Sequence, residues 1–115
     1  MKAVHLICKG TKENRENGLE PKKVDGLVYE SRGWNFNGEE ADSLVGGMIY
    51  FHRKKAYSSF FGGIVLSWEW INAEGVARPD RIKFTFEATG DGKYQKWRGQ
   101  DHNRAWTSRF IEIEP

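Results

Sequence analysis

Apolar residues along this 115-residue chain fall in short runs, most of them alternating with polar ones and separated by stretches rich in Gly, Asn and charge. Ala3 to Cys8 is β-prone and stops at Gly10, and the following stretch from Thr11 to Lys23 is polar with almost no apolar side chain, so a first strand leads into a long loop. Leu27-Val28-Tyr29 predicts a short second strand. Asn37 followed three residues later by Glu40, ahead of Ala41, Leu44 and Val45, has the spacing of a capping box and predicts a short helix ending at Gly46-Gly47. Met48 to Phe51 is a fully apolar strand, and the run His52-Arg53-Lys54-Lys55 reads as a basic exit from it, too polar to continue into a core. Ile64 to Ile71 alternates, which predicts Ile64, Leu66, Trp68 and Trp70 on one face and Val65, Ser67, Glu69 and Ile71 on the other. Arg81 to Ala88 places Ile82, Phe84 and Phe86 inward and Arg81, Lys83, Thr85 and Glu87 outward. Gly90-Asp91-Gly92 makes a turn, residues 93–109 are aromatic and basic without a period, and Phe110 to Ile113 closes as a last strand.

Five or six strands with one short helix define a β-rich, α+β chain. An open sheet of this size leaves edges and a wet face, so the expected architecture is a small closed or nearly closed β-barrel. The length suits one domain spanning residues 1–115, large enough to be stable without disulfides or a structural metal. Cys8 is the only cysteine, which excludes an intrachain disulfide and suits a reducing compartment. The opening residues are too short and too interrupted by His5 for a signal-peptide core, and no run approaches a membrane span, so the expected location is the cytoplasm with no membrane partner.

The net charge of +2 is distributed unevenly: residues 1–47 carry seven Lys/Arg and eight Asp/Glu, whereas residues 48–115 carry eleven and eight. That balance permits an anionic partner without requiring one. The histidines His5, His52 and His102 show no metal-ligand spacing, and no metal or other cofactor is expected. In Asp101-His102-Asn103-Arg104 a histidine beside a carboxylate suggests acid–base chemistry, but neighbouring residues on a strand point to opposite faces, and a turn held by Asp101 or Asn103 is favoured. Cys8 lies within an apolar strand, as a small buried hydrophobe does, and no nucleophile elbow or phosphate-binding loop occurs. No catalytic residue is assigned.

What remains is the interleaving of rings and cations, in Arg32-Gly33-Trp34-Asn35-Phe36, in His52 to Phe61, and from Lys93 through Trp97-Arg98 to Trp106. Rings stack on bases while Lys and Arg meet phosphates, a mixture suited to single-stranded or flipped-out nucleotides. The same residues could instead cap barrel ends, with their charges in water. Two other functions stay open: a protein-interaction module that uses exposed aromatics, for which a homodimer would serve, and a small hydrolase or nuclease using His102 with Asp101 or His52.

The order of features from Trp34 to Trp97 resembles the EVE-type domains of the PUA-like superfamily. A Trp-containing loop and a short helix lead to a glycine and an apolar strand, Ala41-Asp42-Ser43-Leu44-Val45-Gly46-Gly47-Met48-Ile49-Tyr50-Phe51. A basic loop, a glycine-led strand Phe61-Gly62-Gly63-Ile64-Val65-Leu66 and a strand after Arg78-Pro79-Asp80 follow. The resemblance covers rather more than half the chain. It implies a small barrel whose pocket holds a modified base of DNA or RNA, with Trp34, Asn35 and Tyr50 nearest that pocket and Trp97 and Arg98 on its rim. The long polar stretch from Thr11 to Lys23 departs from the pattern.

Overall fold

In the computed structural model, residues 2–7, 21–34, 36–54, 56–72, 80–98 and 107–112 are described. Cys8, most of the polar stretch from Thr11, Asn35, Lys55, Arg78, Pro79, the tetrapeptide Asp101 to Arg104 and Trp106 lie outside them. The elements are β1 (Lys2–Ile7), β2 (Lys22–Asp25), β3 (Val28–Trp34), α1 (Gly38–Leu44), β4 (Met48–His52), β5 (Phe61–Asn72), β6 (Asp80–Ala88), a single 3₁₀ turn (Gly90–Gly92) and β7 (Thr107–Glu112). The seven strands form one sheet in the order β2-β3-β6-β5-β4-β1-β7. β1 and β4 run parallel, and every other neighbouring pair is antiparallel.

The main core lies along one face of the sheet. Val4 and Leu6 of β1 meet Ile49 and Phe51 of β4, Val65 of β5, Ile82, Phe84 and Phe86 of β6 and Trp34 of β3 in one cluster, with Ala41 and Leu44 of the helix packed into it. The cluster runs across five successive strands of the sheet, β1, β4, β5, β6 and β3, on one face. The ladder stays open, since no pairing joins β2 to β7 among the described residues. All four β2 residues are exposed and three of them are charged, so this strand has no apolar seam to bury against a further neighbour.

The helix forms as the capping-box spacing predicts. The Asn37 side chain accepts from the Glu40 amide at 2.8 Å, and the Asn37 amide donates to Glu40 Oε1 at 3.1 Å, which satisfies two amide groups at the helix start. Gly46, at φ 84, reverses the chain after the helix in a conformation that costs glycine little, and its amide donates to the Val65 carbonyl at 2.8 Å. The Trp68 indole donates to Asp42 Oδ1 at 2.8 Å and ties the helix to β5.

β6 follows its pattern, with Ile82, Phe84 and Phe86 all fully buried. β5 does not. The alternation placed Ile64 and Leu66 with Trp68 and Trp70, but Ile64 and Leu66 are exposed and Val65 is buried. The pairing explains the change: Val65 stands opposite Phe86 and Ser67 opposite Thr85, so Leu66 is an extra residue on β5 at a bulge. Beyond it Trp68 stands opposite Phe84 and Trp70 opposite Ile82, back on the core-facing side. One inserted residue reverses the phase of the strand. β2 is not among the expected strands: its first two residues fall in the polar stretch Thr11 to Lys23, and Lys22-Lys23-Val24-Asp25 carries no β signal of its own and pairs only as the hairpin partner of β3. No helix among the described residues is long and apolar enough to cross a membrane.

Candidate functional site

The parallel pairing of β1 and β4 sets His5 beside Tyr50 and Ile7 beside His52. Side chains alternate along a strand, so Val4, Leu6, Ile49 and Phe51 take the main core, while Ala3, His5, Ile7, Met48, Tyr50 and His52 share the opposite face. That second face is covered too. Ala3, Met48 and Tyr50 form a small cluster of their own, with Ile111 of β7 packed on it.

His52 corrects the sequence reading. Instead of starting a basic exit it is the last residue of β4 and is fully buried, as His5 is within 1%. Burying an imidazole requires that both ring nitrogens be satisfied, and the fold supplies partners. His52 Nδ1 lies 2.9 Å from the Tyr57 carbonyl oxygen, and His52 Nε2 lies 2.6 Å from His5 Nδ1. A carbonyl only accepts, so His52 carries its proton on Nδ1, its Nε2 offers the lone pair, and His5 Nδ1 donates to it. The tautomers of both rings follow from one backbone oxygen.

Both rings are held neutral. Burial lowers the His5 pKa from 6.5 to about 3, with His52 and then Arg98 pushing the same way. Burial also lowers His52, partly offset by its bond to the Tyr57 carbonyl. The Tyr50 hydroxyl is raised by burial and by Asp91, and Arg98 opposes the shift. A histidine that protonates only near pH 3, as His5 does, is a poor general base at neutral pH, and the His102 and Asp101 of the hydrolase alternative lie outside the described residues. Among the described residues no group of three or more His, Cys, Asp or Glu side chains could hold a metal ion.

The histidines form a floor for Trp97. Its indole lies 5.7 Å from the His5 ring and 5.2 Å from the His52 ring, edge-on to the latter, while His5 lies 4.8 Å from Tyr50 on its other side. Arg98, next in the chain, is exposed. Residues 92–98 reach this position because Gly92 and Gly62 meet backbone to backbone, and a Cβ on Gly92 would overlap the Gly62 carbonyl. Ser59, itself buried, then fastens the segment. Its amide donates to the Gln95 carbonyl at 2.8 Å, its carbonyl accepts from the Tyr94 amide at 2.8 Å, and its hydroxyl donates to the Gly92 carbonyl at 2.8 Å while accepting from the Gln95 amide at 3.0 Å.

Of the residues singled out in the sequence, the structure brings Tyr50, Trp97 and Arg98 together around His5. Trp34 is elsewhere: its indole is buried in the main core on the other face of the sheet and donates to Ser31 Oγ at 2.7 Å. Asn35 lies outside the described residues. His5 and His52 were seen as scattered histidines, and only the parallel register unites them. Their one local trace is that each sits in, or ends, an apolar strand. Compared with protein families, curated proteins and solved structures, the chain matches none.

Proposed function

We propose that the chain is a nucleic-acid or nucleotide binding module of the PUA-like kind, its sheet serving as a nearly closed barrel, and that it takes a base, a modified base included, against Trp97 with Arg98 at the phosphate, while the buried Tyr50 supports His5 from behind and does not meet the base. The observation that carries this reading is Trp97 seated on the neutral His5–His52 pair with Arg98 exposed beside it. A ring that a base is to stack on works best when its orientation is already set, and a cation beside it serves best in solvent. The neutral imidazoles hold the ring without adding a buried charge that a base would have to meet.

The test is a titration of the protein with nucleoside monophosphates, with unmodified and ring-modified bases, followed by tryptophan fluorescence. Trp97→Ala is expected to weaken binding roughly 5- to 150-fold, the range for losing about 1 to 3 kcal/mol of stacking. Arg98→Ala is expected to weaken all nucleotides alike and to make the salt dependence shallower by about one unit of slope. Saturable binding that Trp97→Ala leaves unchanged would refute the site. No binding to any nucleotide would put the protein-interaction alternative ahead.

A further inference from the structure

Two basic and aromatic segments that lie far apart in the sequence form one surface in the fold. Residues 53–54 and 56–60 and residues 92–98 are joined through the Ser59 hydrogen bonds, and among the described residues these segments carry the exposed Lys54, Lys93, Lys96 and Arg98, with Asp91 next to them in the chain. Rings are set among these cations. The Arg53 guanidinium lies 4.0 Å above the Phe60 ring, and Lys54 Nζ lies 5.4 Å from the ring of the exposed Tyr57.

Tyr94 is the least expected residue here. Its backbone is left-handed at φ 66, a region that glycine and asparagine occupy readily and a bulky side chain rarely does. Its ring is 82% exposed, so burial does not compensate for that conformation. A strained residue with a solvent-facing ring is one whose identity stability does not explain, and such outliers concentrate at functional sites. The Tyr94 amide bond to the Ser59 carbonyl sets the backbone of residue 94 beside the segment that carries Lys54.

We propose that this surface binds single-stranded nucleic acid, with the Tyr94 ring as a stacking platform for one base and the flanking lysines and arginines set against the backbone phosphates. The inference rests on the nucleic-acid reading above and adds strand type and a second ring beyond Trp97. A duplex hides the faces of its bases, whereas a single strand offers a face to every exposed ring, and stacking of this kind is tolerant of sequence. The exposed cations Lys54, Lys93, Lys96 and Arg98 match a polyanion, and the exposed ring is what distinguishes a nucleic acid from any other polyanion.

The experiment measures fluorescence anisotropy of a labelled twelve-nucleotide oligothymidylate, and of a twelve-base-pair duplex, with the wild-type protein, Tyr94→Gly, Tyr94→Phe and Trp97→Ala at two salt concentrations. The single strand is expected to bind at least about tenfold more tightly than the duplex. Tyr94→Gly is expected to weaken single-strand binding about 5- to 150-fold while leaving the melting temperature unchanged or raising it, and Tyr94→Phe, which keeps the ring, to bind like wild type. Equal affinity for single strand and duplex overturns the proposal. So does a Tyr94→Gly affinity within twofold of wild type, a Tyr94→Phe loss as large as that of Tyr94→Gly, or displacement of the oligonucleotide by inorganic polyphosphate of equal charge as effectively as by unlabelled oligothymidylate. A fluorescence response to uridine monophosphate together with any of those results leaves the base-binding module standing and removes only this surface. Oligothymidylate binding lost in Tyr94→Gly but kept in Trp97→Ala supports this surface and removes the Trp97 site.

Discussion

Acid should unfold this protein through His5, and the size of the effect follows from the buried pair. In the unfolded chain His5 takes up a proton near pH 6.5, whereas in the folded protein burial, His52 and Arg98 delay that proton until about pH 3. Below pH 6.5 the unfolded state therefore binds more protons than the folded one, and stability falls as pH falls, by about 1.4 kcal/mol per pH unit for each such histidine. Between pH 6.5 and 5 His5 alone removes about 2 kcal/mol, and His52, lowered in the same direction, adds to the loss. Against the roughly 5 to 15 kcal/mol of a typical domain, that loss is large. From about pH 7.5 upward the contribution is complete and the profile from this source is flat. The assay is urea unfolding followed by tryptophan fluorescence at pH 7, 6.5, 6, 5.5 and 5, on wild type and on His5→Asn. The asparagine amide can still donate to His52 Nε2 but does not titrate, and carboxylates common to both proteins cancel in the comparison. The wild type should lose about 2 kcal/mol more than the variant between pH 6.5 and 5. Parallel pH profiles would refute the reasoning, because they would mean that His5 takes up its proton in the folded protein as readily as in water.

Phe84→Ala should destabilise the protein by about 3 to 5 kcal/mol, read as a shift in urea midpoint, since it empties a fully buried site shared with Phe36 and Trp68; a loss under about 1 kcal/mol would mean that the ring is exposed. Asn37→Ala should cost about 1 kcal/mol in the same measurement by removing the acceptor for the Glu40 amide, and Asn37→Ser should recover most of it.

What could be read from the sequence was local. The capping box of Asn37 and Glu40 and the alternation of Ile82, Phe84 and Phe86 depend only on neighbours within a turn or a strand, and both stand in the structure as expected. The bulge at Leu66 escaped, because an extra residue is defined by the strand opposite and not by its own side chain. So did the histidine pair, whose members lie 47 positions apart and meet only where β1 and β4 run parallel. Trp34 and Trp97 illustrate the limit for the site. Each is a tryptophan in a basic, glycine-containing context, and which face of the sheet receives it is decided by strand order.

The position of β1 also dictates a timetable. β1 is hydrogen-bonded on one side to residues 48–52 and on the other to residues 107–112, with Lys2 opposite Glu112. At the usual 5 to 20 residues per second, roughly 5 to 20 s separate the synthesis of β1 from that of its last partner. Throughout that interval Val4 and Leu6 are a sticky apolar segment without a finished sheet, and His5 is an ordinary solvent-exposed imidazole. Two strands about 100 residues apart in sequence that must find each other make a slow, late closing step. Until β7 emerges, β1 therefore keeps one unpaired edge open to aggregation.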